Sequence, residues 1–267
     1  MKSFYLPLSA ALATLSTASP TGEAITKRAT PTVYLAGDST MALGGGGTET
    51  QGSLGASTSP TPSPSPVVND AIAGRSARSY TDEGRFTSLA ALGLLGRLRH
   101  HRIRAQRRRL ADAHRQRPLR LRRRRQRDLH HGRGVVVQTY PTYLTAAAEL
   151  MTAKGAHVII SSPTPDNVCE SGTCTYTASR FTGYCEIVVG NVGSEASFVD
   201  HGTYVADRWI ALGATATDAF YPIDHTHTSP EGAAIVAALF VKGVLCADDA
   251  LAAYVKNSTD SVVGSCI

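Results

Sequence analysis

Short apolar, β-prone runs alternate with helix-forming segments along this chain, and the alternation limits the fold more than any other feature. The predicted strands lie at 32–36, 67–68, 157–162 and 198–200. The predicted helices span 140–154 and 230–245. Strands that alternate with helices form βαβ units, whose parallel sheet is covered on both faces. The sequence therefore predicts one α/β domain, for which 267 residues are sufficient.

Two stretches do not follow this pattern. Residues 53–66 are rich in Ser, Thr and Pro, as linkers are. Between Arg97 and Arg133 lie 16 of the 27 basic residues and only 2 of the 21 acidic ones, so the rest of the chain is acidic. The basic block is either a surface that binds nucleic acid or another polyanion, or a disordered basic loop.

The beginning of the chain is typical of a secretory signal. A basic residue precedes an apolar stretch that is too short to cross a bilayer, and small residues follow. We predict a signal peptide at 1–19 and a propeptide or linker at 20–30, where Lys27-Arg28 is either a processing site or an exposed basic pair. No later stretch is long enough for a membrane helix. We therefore expect a secreted, extracellular protein, with Asn257 as a candidate glycosylation site.

The five cysteines gain a meaning in an oxidising compartment. Cys246 and Cys266 would tie the last helix to the tail, and Cys169 and Cys174 would close a short loop. Cys185 is then left over, and sequence alone does not fix the connectivity. No Cys/His group has zinc-ligand spacing, so we expect no metal.

Two polar segments carry residues suited to acyl chemistry. Ser39 directly follows the first predicted strand, where backbone N–H groups can stabilise an oxyanion. Asp224 precedes His227 by three residues, a spacing that lets the carboxylate orient the ring for proton transfer from a serine. Each segment also has a simpler interpretation: Ser39 as a turn residue, and the other two as a helix cap beside surface histidines, or as metal ligands.

Three longer stretches contain these residues. They are 33–41 (VYLAGDSTM), 67–80 (VVNDAIAGRSARSY) and 221–233 (YPIDHTHTSPEGA). In this order they resemble the first, second and fifth sequence blocks of the SGNH/GDSL hydrolase superfamily, in the form found in rhamnogalacturonan acetylesterases. With the helix–strand unit at 140–164, the resemblance covers most of the chain outside 53–66 and 90–133. It implies a three-layer α/β/α sandwich with a flavodoxin-like parallel sheet over 31–267.

The resemblance also implies roles for single residues. Ser39 would be the nucleophile, His227 the general base and then acid, and Asp224 the residue that orients it. The backbone N–H groups of Ser39 and Gly74 would form the oxyanion hole. No cofactor is needed for this reaction.

The implied substrate is acetylated pectic polysaccharide, from which the enzyme would release acetate. Arg75 and Arg78 would then be candidates to bind uronate carboxylates, although for either one taken singly a role as a structural or solvated arginine is favoured. We expect a monomer that binds neither nucleic acid nor membranes.

One block of the family is missing. Its third block carries Gly-x-Asn-Asp, whose Asn completes the oxyanion hole, and no such motif occurs in the sequence. The codons of residues 96–109 can be chosen so that a one-nucleotide shift reads GDYVIIEFGHNDGG, a buried strand followed by the missing motif. Residues 55–60 can likewise shift to WGEYLA. We therefore interpret 53–66 and 96–133 as frame-shifted or disordered, and expect a missing or disrupted central strand.

Other functions remain open at this level. The protein could be another carbohydrate acetylesterase or a lipase-like esterase of the same superfamily. It could also be a polyanion-binding protein that uses the Arg-rich block, or an inactive product of a damaged gene.

Overall fold

The structure is a computed structural model that describes residues 31–43, 65–92, 98–101, 129–131 and 135–267. Its main sheet contains β1 (Val33–Ala36), β2 (Val67–Asn69), β3 (Leu98–His101), β6 (His157–Ser161) and β7 (Ala196–Val199). These five strands are parallel and lie in the order β2-β1-β3-β6-β7. β4 (Leu129–His131) and β5 (Val135–Val137) pair with each other in a separate antiparallel ribbon.

Helices cover both faces of the main sheet. They are α1 (Ala77–Asp82), α2 (Arg85–Ala91), α3 (Tyr140–Thr152), α4 (Arg180–Val192), α5 (His201–Leu212), α6 (Ala214–Asp218) and α7 (Pro230–Cys246), followed by two short 3₁₀ helices at Ala252–Tyr254 and Thr259–Ser261. Successive side chains of a strand point to opposite faces. Tyr34 and Ala36 of β1 accordingly pack with α1 to α4, whereas Val33 and Leu35 pack with α7. The predicted three-layer α/β/α sandwich is confirmed.

The elements predicted from the sequence are found within two residues of their expected ends. The first predicted helix is α3, where the Thr139 side chain accepts a hydrogen bond from the Thr142 N–H and Pro141 occupies the first turn. It stops before Gly155, whose φ of 74° lies in the left-handed region that favours glycine. The second predicted helix is α7, capped by the side chain of Ser229.

The middle of the sheet differs from the expectation of a missing or disrupted strand. The backbone of β3 lies there and pairs with β1 on one side and β6 on the other. These four positions are the ones that read Tyr-Val-Ile-Ile in the shifted frame. The path of the main chain therefore matches the strand of the shifted reading, although the residue types are Leu, Arg, His and His.

Several sequence predictions lie outside the described residues. They are the signal peptide and the linker at 1–30, the Ser/Thr/Pro-rich segment up to residue 64, and the basic block over 102–128. Among the described residues, no helix is long and apolar enough to cross a membrane.

Candidate active site

The turn after β1 places Ser39 at the carboxyl end of the sheet. Asp38 is buried, and its Oδ1 accepts hydrogen bonds from the Thr40 backbone N–H (3.0 Å) and hydroxyl (2.9 Å). The backbone N–H of Ala42 donates to the Asp38 carbonyl at 2.9 Å and closes the turn. The side chain of Ser39, half-buried, therefore lies on a short and internally bonded turn.

The loop between α6 and α7 carries Asp224 and His227. Asp224 Oδ1 accepts from the backbone N–H groups of Thr226 and His227, each at 2.7 Å. At the far end of the loop, Gly232 passes close to Phe220, since a Cβ on this glycine would lie 2.9 Å from the Phe220 Cβ. The loop is therefore held by hydrogen bonds to the Asp224 carboxylate, and its first part packs against the first turn of α7.

The two segments meet although 188 positions separate them. His227 Nε2 lies 2.9 Å from Ser39 Oγ, and His227 Nδ1 lies 2.7 Å from Asp224 Oδ2. With the Nδ1 proton donated to the carboxylate, Nε2 is left to accept the serine proton. The arrangement can deprotonate an alcohol and later return the proton to a leaving group.

The carboxylate of Asp224 is held in its charged form. Partial burial raises its pKa, but the His227 ring and the backbone N–H groups of His227 and Thr226 lower it more. The net result is a pKa below the ordinary value for aspartate. Asp224 therefore stays negative beside the ring over the neutral pH range.

The loop after β2 lies against the turn that carries Ser39. The Ile72 N–H donates to the Gly37 carbonyl at 2.9 Å, and the Asn69 side chain donates to the Met41 carbonyl at 3.0 Å. Gly74 follows two residues later with a φ of 74°. The second predicted oxyanion donor thus belongs to a loop that is bonded directly to the serine turn.

The two predicted substrate arginines form ion pairs within the chain. Arg75 Nε lies 3.1 Å from Glu83, and its Nη1 donates to the Ala73 carbonyl at 3.1 Å. Arg78 Nε lies 3.2 Å from Asp82, one helical turn away. These contacts agree with the structural alternative, and a role in substrate binding stays a prediction.

Both predicted disulfides are present, Cys169–Cys174 and Cys246–Cys266. Cys185 is free and buried, and burial raises the pKa of its thiol to about 12.

Other predicted features lie on the surface. The sequon residue Asn257 is exposed. His225, the other histidine of the loop, is directed away from Ser39: its Nδ1 lies 3.4 Å from Glu170 Oε1. No group of three or more metal-binding side chains occurs among the described residues.

Sequence reasoning missed the segment that contacts residues 219–229, the loop between α6 and α7 that is called the histidine loop below. This segment, residues 162–179 between β6 and α4, is called the β6 loop below. Asp166 Oδ1 accepts from the Thr226 hydroxyl at 2.9 Å, and the Asn167 N–H donates to the His225 carbonyl at 2.6 Å. A small cavity beside His227 is lined by the following further residues: Thr40, Thr164, Pro165, Tyr221, Thr226, Thr228 and Val236. No local pattern points to these contacts, because they join positions about 60 residues apart.

Comparisons with known proteins identify one curated relative and solved structures of similar fold, and each match covers about four-fifths of this chain. The sequence is 40% identical over 227 residues to the rhamnogalacturonan acetylesterase of Emericella nidulans, a match that covers 82% of this chain and 87% of that protein. The fold is similar to the crystal structure of the YxiM protein from Bacillus subtilis (TM-score 0.63, 16% identity), which matches 83% of this chain, while this chain spans 58% of that protein. It is also similar to a catalytic mutant of an acetylxylan esterase from Geobacillus stearothermophilus (TM-score 0.50, 16% identity, 80% of this chain and 94% of the other). No family model matches the sequence. Its identity to the Emericella protein, over most of both chains, shows that this chain belongs to the rhamnogalacturonan acetylesterase family.

Proposed function

We propose that this protein is a serine acetylesterase that removes acetyl groups from pectic rhamnogalacturonan outside the cell. One observation carries the proposal: His227 lies between Ser39 and Asp224, with a different ring nitrogen directed to each. Membership of an acetylesterase family supports it independently.

The reaction begins with attack of Ser39 on the acetyl carbonyl. His227 Nε2, 2.9 Å from the hydroxyl oxygen, takes the proton as the Oγ–carbon bond forms. Negative charge develops on the carbonyl oxygen, where the backbone N–H groups of Ser39 and Gly74 would donate. When the carbon–oxygen bond to the sugar breaks, the protonated ring gives its proton to the leaving alcohol. The products are free polysaccharide hydroxyl and an acetyl-serine ester.

Water then hydrolyses the acetyl-serine ester with the same residues. His227 takes a proton from the water as its oxygen adds to the acetyl-serine carbonyl, the ring then returns that proton to Ser39 Oγ as the ester bond breaks, and the released acetic acid ionises to acetate in solvent. Asp224, whose pKa lies below the ordinary value, remains ionised throughout and stabilises the imidazolium formed in each half-reaction.

The proposed secretion, glycosylation and substrate rest on the sequence, the two disulfides and the Emericella relative. The apolar start of the chain, the two disulfides and the exposed sequon at Asn257 support secretion and glycosylation. We propose a pectic substrate because the Emericella relative is a rhamnogalacturonan acetylesterase. The enzyme would act as a monomer and without a cofactor.

The missing Asn of the third block has a measurable consequence. Loss of a single oxyanion donor typically lowers turnover by about 10²–10³-fold. A chain that carries DYVIIEFGHNDGG at 97–109, the shifted reading, should therefore have a higher kcat by about that factor. Equal kcat values for the two chains would contradict the frame-shift hypothesis but leave the roles of Ser39 and His227 untouched.

Acetate release from different acetylated polymers tests the substrate. We expect the largest kcat/KM on acetylated rhamnogalacturonan, a smaller value on acetylated xylan, and loss of both in Ser39→Ala. Higher kcat/KM on xylan would overturn the pectic assignment, and activity that survives in Ser39→Ala would overturn the serine mechanism.

A further inference from the structure

The β6 loop is joined to the histidine loop at two consecutive residues. Asp166 accepts a hydrogen bond from the Thr226 side chain at 2.9 Å. The next residue, Asn167, donates its backbone N–H to the carbonyl of His225 at 2.6 Å. Both contacts fall on the two residues that separate Asp224 from His227.

The Asp224–His227 pair depends on support from outside its own loop. The segment that enters the loop is exposed, with Ile223 52% and the Asp224 side chain 39% accessible to solvent. Asp224 Oδ1 is oriented by the backbone N–H of Thr226 at 2.7 Å. A rotation of the Thr226 peptide would therefore turn the carboxylate, and with it the ring that the carboxylate holds.

Two hydrogen bonds and a disulfide restrain the β6 loop beside this contact. Asn167 Oδ1 accepts from the Cys169 N–H at 2.9 Å, and its Nδ2 donates to Asp218 at 2.6 Å. The Cys169–Cys174 disulfide closes the loop immediately afterwards. The Thr226 hydroxyl is thus bonded to a carboxylate on a fixed segment that continues from the carboxyl end of β6.

We infer that Asp166 is a positioning residue: by holding the Thr226 hydroxyl, it fixes the peptide that orients Asp224 and so keeps His227 directed at Ser39. The inference rests on the proposed function, in which His227 transfers the proton of Ser39. Asp166 touches no reacting atom. Its effect should fall on kcat, since displacement of a catalytic group by about 1 Å can cost on the order of 10²-fold in rate.

Paired variants of the full chain test the inference. Asp166→Ala removes the acceptor and Thr226→Val removes the donor at constant shape, whereas Asp166→Asn and Thr226→Ser keep the hydrogen bond. We expect kcat per fluorophosphonate-titrated site to fall about 10–100-fold in the first two variants with KM within about twofold. The conservative variants should recover most of that loss, and Asp166→Ala/Thr226→Val should be no slower than the slower single variant.

A spectroscopic readout makes the test independent of turnover. The Nδ1 proton between His227 and Asp224, a 2.7 Å contact, should give a low-field proton resonance in the parent chain that is lost or shifted in Asp166→Ala and restored in Asp166→Asn. A resonance and a kcat unchanged in Asp166→Ala would overturn the positioning role, and so would a lowered melting temperature with unchanged kcat per titrated site. Activity retained in Ser39→Ala would instead refute the proposed function, so the two failures are distinguishable.

Discussion

At each end of the main sheet a histidine meets a serine and an aspartate, and the two clusters are built differently. At the carboxyl end, His227 uses Nε2 toward Ser39 and Nδ1 toward Asp224. The residues of the second cluster, at the amino end, are His157, Ser197 and Asp249. There a single ring nitrogen, His157 Nε2, lies 3.1 Å from the serine oxygen and 3.2 Å from the carboxylate.

The connectivity, rather than the residue types, distinguishes Ser39, the proposed nucleophile, from Ser197. Ser197 donates its own proton to Asp249, so its hydroxyl hydrogen is bound to a carboxylate and not to an imidazole lone pair. The Asp249 side chain is 1% exposed, against 39% for Asp224. The amino-end cluster therefore joins β6, β7 and the segment after α7, while the carboxyl-end cluster is open to solvent.

Helix α7 connects the two clusters. It begins three residues after His227 and ends three residues before Asp249, and its 17 residues span about 25 Å. The same helix thus continues from the loop that carries Asp224 and His227 at one end and leads to the His157–Ser197–Asp249 cluster at the other. Four predictions test this division.

The largest difference should appear between the two serines. We expect Ser39→Ala to lower kcat/KM by on the order of 10⁴-fold or more, because the covalent step is lost. Ser197→Ala should leave kcat per folded molecule within about twofold, as its hydroxyl has no part in the chemistry. Steady-state acetate release checks both, and a comparable loss in Ser197→Ala would remove the distinction between the clusters.

Substitution of Asp224 should lower kcat far more than substitution of Asp249. Asp224→Asn should lower kcat by about 10³–10⁴-fold, because the amide neither orients the ring in the same tautomer nor stabilises its positive form. Asp249→Asn should leave kcat per titrated site nearly unchanged. A normal rate in Asp224→Asn would show that the 2.7 Å contact with His227 has no catalytic role.

The free energy of unfolding should depend on the amino-end cluster, which is not expected to affect kcat. Asp249→Ala removes the acceptor of the Ser197 hydroxyl and of the Leu251 N–H, and one of the two partners of His157 Nε2, which should lower the free energy of unfolding by about 3 kcal/mol. Asp82→Ala, which breaks an exposed ion pair with Arg78, is the matched control and should cost less than about 0.5 kcal/mol. Urea unfolding measures both, and equal losses would argue against a structural cluster.

The smallest effect should be a pH dependence of stability that Asp249 produces. Burial raises the pKa of this carboxyl, but the hydrogen bonds from His157, Ser197 and the Leu251 N–H lower it below the ordinary value. A lowered folded-state pKa stabilises the protein above the unfolded value of about 3.9, and the contribution is lost as the pH falls through the folded value. The unfolding free-energy gap between the parent and Asp249→Asn should therefore narrow below about pH 4. A gap that widens with acid would contradict this sign.

Sequence alone predicted those features that depend on local order. Ser39 follows a buried strand, and Asp224 precedes His227 by three residues. The resemblance to the family blocks then implies that these three residues lie in one site. Short β-prone apolar runs predicted β1 and β6, and helix-forming segments predicted α3 and α7, because these elements also depend on local order.

Distant contacts that lie outside the family blocks were not predictable. Ser197 and Asp249 lie 40 and 92 positions from His157, and Asp166 lies 60 from Thr226. Hydrophobic period and motif spacing carry no information at such separations. The backbone of β3 is a further case, because Leu-Arg-His-His has none of the β-branched or aromatic residues that favour a strand, yet its chain completes the sheet.

The most direct measurement of the central claim, that His227 activates Ser39, is reaction with a fluorophosphonate followed by peptide mapping of the labelled serine. The account predicts a single adduct on Ser39 that forms at least about 100-fold more slowly in His227→Ala. An adduct on Ser197, or labelling of Ser39 at the same rate without the imidazole, would contradict it.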